Sequence, residues 1–296
     1  MPDMPDRTRR VALVTDSTAL LADEVVRRRG IRVVPLQVVI GARAYDDGAP
    51  EATPQTIAAA LGAFTPVSTS RPSPQRFSEA YRQAAEAGAE QIVSVHLSGA
   101  VSGTYESALL AARDAPVPVQ AVDTRQLGMA VGFAVHAAAD ALDAGATAAD
   151  AAEAATRCAS ATVSLFYVDT LEYLRRGGRI GAAAALLGTA LAVKPLLRIE
   201  DGRVATVEKV RTAARAISRL EELARQAAAH MDGRLVDVAV GHLANPERAD
   251  QLVQSLRTGL AGQLTDDGGV SVGEVGAVIG AHVGPGMVAV VVAPRG

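Results

Sequence analysis

At 296 residues, with 49% apolar and 21% charged side chains, the chain is long enough for two domains and too apolar to be disordered. Its net charge of −3 excludes a general attraction to nucleic acid or an anionic membrane, and 3% aromatic content with no Trp excludes the stacking platforms of single-strand binders. One cysteine, Cys158, excludes an intrachain disulfide framework and a cysteine-based zinc cluster.

Residues 1–10 read as a disordered leader with no signal-type apolar segment. Val11 to Thr15 is a strand, closed by Asp16-Ser17-Thr18, which are placed to cap a helix from Leu20 to Arg29. Ile31 to Ile40 is extended, but Pro35 divides it or confines it to an edge. Tyr45 to Gly48 reads as a turn. Thr53-Pro54 and Ser73-Pro74 each start a helix, with proline at the first helical position. Gln91 to Leu97 is a strand, Ser98 to Gly103 a glycine and serine loop, and Thr104 to Arg113 a helix. A strand at Val117 to Val122 precedes Ala-rich helices at Gln126 to Asp143 and Ala148 to Cys158. Alternating strands and helices predict a mainly parallel sheet with flanking helices over residues 11–160.

Beyond residue 160 the pattern changes. Thr162 to Val168 is a strand. Asp201-Gly202 joins Leu196–Glu200 and Arg203–Val207 as a hairpin. Arg211 to Ala229 is an amphipathic helix, and strands recur at Leu235, Val270 and Met287. Residues 161–296 are therefore expected to form a second α/β domain around a mixed sheet. The longest apolar run, Ile180 to Val193, has 14 residues, short of the ~18–20 that span a bilayer. The expected location is the cytoplasm.

Four segments carry chemistry. Ser98 to Thr104 lies between a strand and a helix, where unpaired N–H groups favour an anion. It has neither the Lys-Ser/Thr ending of a P-loop nor a dinucleotide GxGxxG, and a simple capped turn would look the same. Ser68-Thr69-Ser70-Arg71-Pro72-Ser73 is a second hydroxyl cluster. His282 precedes Val283-Gly284-Pro285-Gly286, a tight backbone excursion suited to a ligand-facing loop. Arg175, Arg176 and Arg179 surround Gly177-Gly178, and guanidinium forks suit oxyanions, although Asp169 and Glu172 are near enough to pair with them. No nucleophile elbow, HExxH or paired-carboxylate motif occurs, and the other histidines lack metal-ligand spacing. Anion-holding groups without a base–nucleophile pair suit a binding protein better than a hydrolase. No catalytic residue, metal or cofactor is expected. The competing reading is a phosphotransferase or hydrolase of small molecules that holds phosphate on the Ser98 loop.

Together these segments resemble the DegV family, the fatty-acid-binding proteins that include the carrier subunits of bacterial fatty acid kinase. The matching pieces are Val14-Thr15-Asp16-Ser17-Thr18, Thr69 to Ser73, Leu97-Ser98 with Ser102-Gly103-Thr104-Tyr105, Val122-Asp123-Thr124, Leu174 to Ile180, Lys194-Pro195, Glu208 to Arg211 and His282 to Gly286. The resemblance implies a two-domain α/β fold with a long-chain fatty acid in a tunnel between the domains. It implies that Thr69 and Ser98 bind the carboxylate, with Ser68, Gly99 and His282 beside it. Gly99 stands where the family often has a second serine, and Arg71 where Gln is common, adding positive charge near the head group. The carrier would present the carboxylate to a separate ATP-dependent kinase subunit, which forms acyl phosphate, and Arg175, Arg176 and Arg179 would contact that subunit or its phosphate. Gly181 to Leu197 is the candidate tunnel cover. With so few aromatics, Phe64, Phe77, Phe133 and Phe166 are the candidate limits on chain length.

Overall fold

The structure, a computed structural model, describes residues 10–186, 193–265 and 269–295, so all but the last residue of the expected leader lies outside it. β1 (Val11–Asp16) ends where Asp16 accepts the Thr18 N–H at 3.1 Å. That bond caps a 3-10 turn at Ser17–Ala19 rather than the expected helix. Leu20 takes left-handed backbone, φ 52°, and α1 (Asp23–Arg29) starts only beyond it. Pro35 separates β2 (Arg32–Val34) from β3 (Gln37–Ile40), as its missing N–H requires. β4 (Arg43–Asp46) takes in Tyr45 and Asp46, so the turn falls later than expected, at Asp47-Gly48. Thr53 caps α2 (Pro54–Gly62) through the Thr56 N–H.

β5 (Val67–Ser70), α3 (Pro74–Glu86), β6 (Gln91–His96), α4 (Thr104–Ala112) and β7 (Val119–Asp123) follow. α5 (Met129–Asp143) leads to α6 (Ala148–Ala161), which Thr147 and Asp150 start with a capping box. After β8 (Val163–Tyr167) and α7 (Glu172–Arg176), the candidate tunnel cover divides. Gly181–Leu186 is a 3-10 turn, residues 187–192 lie outside the described residues, and Lys194 onward is strand. β9 (Lys194–Glu200) and β10 (Arg203–Val210) form the expected hairpin, with Asp201 (φ 50°) and Gly202 (φ 77°) supplying its two left-handed positions. The chain continues through α8 (Ala213–Ala229), β11 (Val236–His242), α9 (Pro246–Gly259), β12 (Val270–Glu274), α10 (Ala277–Val283) and β13 (Val288–Pro294).

The expected α/β architecture is observed. β2-β1-β6-β7 form a four-stranded parallel sheet, and β10-β9-β8-β13-β11-β12 a six-stranded mixed one. In the latter only β11 and β12 run parallel. A third, antiparallel sheet, β4-β3-β5, has no counterpart in the sequence pattern.

Composition decides how the layers pack. Ala134, Ala138, Ala148, Ala151 and Ala155 are fully buried in one cluster, and side chains this small let α5 and α6 approach closely. Leu220, Leu252 and Leu256 seat α8 and α9 on the six-stranded sheet. Another cluster joins Leu36, Val38 and Ile57 to Ala277, Val278 and Ala281, crossing the boundary expected near residue 160. It holds α10 against the small sheet. The sequence pattern shows no helix at α10, because Gly276 and Gly280 interrupt its apolar run. Gly280 packs closely, since a Cβ there would come within 3.2 Å of Leu243. The cap of α10 comes from far away: buried Asp47 accepts the Val278 N–H at 3.3 Å.

Candidate functional site

A cavity of about 320 Å³ lies where these layers meet. Leu36, Leu97, Val101, Phe166, Ile199 and Met287 are among its walls, drawn from all three sheets and their loops. Its polar groups gather on one side: Thr69, Ser70, Arg71, Ser102, Arg179 and His282. No Asp or Glu among the described residues lines it. The two other hydroxyls on the wall are used internally, Thr18 donating to Asp16 at 2.6 Å and Ser164 to Gln126 at 2.9 Å.

The centre of the polar side is a contact between Thr69 Oγ1 and His282 Nε2, 2.8 Å apart. Strand alternation creates it. In β5, Thr69 pairs with buried Val38 and turns inward, while Ser68 is exposed. His282 was expected at the head of a loop but sits in the last turn of α10, so the helix fixes its ring. Its Nδ1 is buried, with no hydrogen-bond partner among the described residues. A buried N–H without an acceptor is costly, so the ring proton belongs on Nε2. Nε2–H then donates to Thr69, leaving the Thr69 O–H free to donate into the cavity. Burial, with the Arg179 charge adding to it, lowers the His282 pKa from 6.5 to about 4, so the ring is neutral at pH 7. Gly177 closes over it: a Cβ there would stand 2.1 Å from Nδ1.

The other candidates are placed differently. The Ser98 hydroxyl is fully buried, donates to the Gly202 carbonyl at 2.8 Å and accepts the Ala100 N–H at 3.2 Å. The Gly99 N–H donates to Asp123 at 3.2 Å. Both residues therefore join their loop to its neighbours and are not on the cavity wall. Ser68 opens onto an adjacent surface groove of about 490 Å³, which Thr69, Arg179 and His282 share with the cavity. Arg175 and Arg176 both pair with Glu172, whose pKa falls to about 2 through these hydrogen bonds. Arg179 instead donates to the Val101 carbonyl at 3.1 Å and the Gly177 carbonyl at 2.6 Å. It reaches both the cavity and the groove, whereas Arg176 reaches the groove alone. Asp169 pairs with Lys194 at 2.9 Å, not with these arginines. Of the four Phe, only Phe166 lines the cavity; Phe64 is 82% exposed, Phe77 stacks edge-on against His96, and Phe133 is half-buried on α5.

One arrangement had no sequence signal. Ser94 Oγ lies 2.7 Å from His96 Nε2, and His96 Nδ1 lies 3.0 Å from Asp16 Oδ2. Three residues that no motif connects thus form a Ser–His–Asp row across neighbouring strands β6 and β1. All three have 0% exposure and none lines the cavity. Tyr81 further occupies Ser94 at 2.9 Å, and burial raises the Tyr81 pKa to about 12. The row lacks an attacking position open to substrate, and its visible role is to tie β1 to β6. No group of His, Cys, Asp and Glu suited to a metal ion occurs among the described residues. No helix among them is long and apolar enough to cross a membrane.

The family model described as "Uncharacterised protein, DegV family" matches residues 10–295. The chain belongs to the DegV family. A DegV domain-containing protein of Streptomyces coelicolor is 54% identical over 97% of this chain and 100% of its own length. One from Mycobacterium tuberculosis is 35% identical over 95% of this chain and 96% of its own. Among solved structures, a DegV family protein from Thermus thermophilus described by its fatty acid binding superposes with a TM-score of 0.86 at 34% identity, covering 96% of this chain and 99% of that one. DegV of Bacillus subtilis, described as a fatty acid binding protein, gives 0.84 at 29% identity with the same coverage.

Proposed function

We propose that this DegV protein binds a long-chain fatty acid between the halves 11–160 and 161–296, with its tail in the apolar cavity and its carboxylate at Thr69 and His282. One observation carries the reading: the cavity is apolar except on one side, which offers hydroxyl donors and guanidinium groups and, among the described residues, no acid. Each methylene moved from water to such a wall contributes ~0.8 kcal/mol. The carboxylate must lose water to enter, which is tolerable only against donors already aimed at it. The fatty-acid-binding relatives from Thermus and Bacillus support the same ligand class. Native mass spectrometry of gently purified protein should show the added mass of one long-chain acid. A bare mass that stays bare on incubation with fatty acid overturns the reading.

The chain acts as a non-catalytic carrier, and a separate ATP-dependent kinase subunit phosphorylates the presented carboxylate. The groove beside Thr69 and His282, flanked by Arg176 and Arg179, is the approach route. Phosphate chemistry on the Ser98 loop is the weaker reading, because the Ser98 hydroxyl is buried and already donates to Gly202.

A further inference from the structure

We propose that Arg71 is the charge-recognising residue of this site, closing its guanidinium fork on the anionic head group of the bound acid. The assignment rests on the fatty-acid reading above and adds the residue that distinguishes an acid from a neutral lipid of the same length.

Two arginines among the described residues line the cavity, and they differ in what they have left to give. Arg179 already uses Nε and Nη1 on two backbone carbonyls. Arg71 makes no hydrogen bond or ion pair with any described residue. Two acids of the neighbouring elements are committed elsewhere: Asp46 binds Arg76 at 2.9 and 3.1 Å, and Glu79 pairs with Arg82. Five N–H donors are therefore unused by the protein on a wall with no carboxylate among the described residues.

Arg71 lies beside the start of α4. A Cβ on Gly103 would lie 1.9 Å from Arg71 Nη1, so the guanidinium rests directly on that glycine. Gly103 has φ −75°, which any residue adopts, so a side chain there would move the guanidinium aside without straining the backbone. The exposed Arg71 side chain thus lies along the cavity wall against the start of α4. Thr69, with its free O–H, lies two residues away on the same wall. A planar fork and a single hydroxyl donor together match the oxygens of one carboxylate. His282, neutral at pH 7, supplies no competing charge.

The test titrates delipidated full-length protein with palmitic acid and with hexadecanol, for wild type and Arg71→Gln. Arg71→Gln should weaken palmitic acid about tenfold, as loss of a charge-assisted hydrogen bond predicts, and leave hexadecanol within about twofold. Unchanged hexadecanol binding also shows that the variant is folded. Equal weakening of both ligands, or of neither, overturns the assignment while the fatty-acid reading stands. Wild type that takes up neither ligand overturns both.

Discussion

Thr69 and Ser98 are alike as letters, each a hydroxyl in a small-residue cluster, yet they occupy different surroundings. Thr69 faces the cavity with a neutral imidazole behind it, and Ser98 faces the carbonyl of Gly202. Thr69→Val keeps the shape but removes both the donor to the ligand and the acceptor of the His282 Nε2–H, so it should weaken fatty acid binding roughly 3–10-fold and also lower stability by about 1–3 kcal/mol. Ser98→Ala should instead cost about 1 kcal/mol of stability in a denaturant titration, with affinity unchanged. A loss of affinity in Ser98→Ala would mean that the Gly202 bond opens on binding and that Ser98 joins the head-group site. His282 gives a pH signature. Its folded pKa, about 4, lies below the ordinary 6.5, so its contribution to stability is complete above pH 6.5 and is lost as pH falls towards 4. Thermal unfolding across this window should show that slope, and His282→Gln should flatten it.

Two elements hold the site from a distance. The tip of the β9–β10 hairpin docks on the Ser98 loop, where a Cβ on Gly202 would stand 2.3 Å from Ser98 Oγ, and Arg125 holds the Asp201 carbonyl at 3.1 Å. Gly202→Ala adds a left-handed penalty of about 1 kcal/mol to this clash, so it should destabilise by more than Ser98→Ala in the same titration. The second element is α10, which carries His282 and is capped by Asp47 across more than two hundred residues of sequence. Asp47→Ala should cost about 1 kcal/mol as a lost cap and weaken fatty acid binding through a loosened His282. A calorimetric melt paired with a ligand titration separates the two effects.

Across the molecule, the cavity exists only because three sheets meet, and the shortage of aromatics sets its character. Phe166 is the one Phe on its wall. Phe166→Ala should shift the preferred acid to longer or bulkier chains, read by competition among acids of graded length. If the preference does not move, the chain end lies elsewhere along the wall. On the outer face, Arg176→Ala should leave lipid binding intact and impair phosphorylation by a partner kinase subunit; normal phosphorylation would remove Arg176 from the docking surface.

What the sequence determined by itself was local: alternation and turn chemistry. Pro35 split a strand, Asp201-Gly202 made a hairpin, and Thr147 with Asp150 started a helix, each through groups only a few residues apart. The order of motifs also carried the family, because the spacing of so many weak segments is specific when taken together. Tertiary structure decided what depends on distant neighbours. Its glycines interrupt the periodic pattern of α10, and its cap comes from Asp47, so no local window reveals it. The Ser94–His96–Asp16 row forms only when β1 and β6 pair in parallel. The division of labour among hydroxyls follows the same cause. Each donor goes to the acceptor that folding brings within reach, and that acceptor is Gly202 for Ser98 but the open cavity for Thr69.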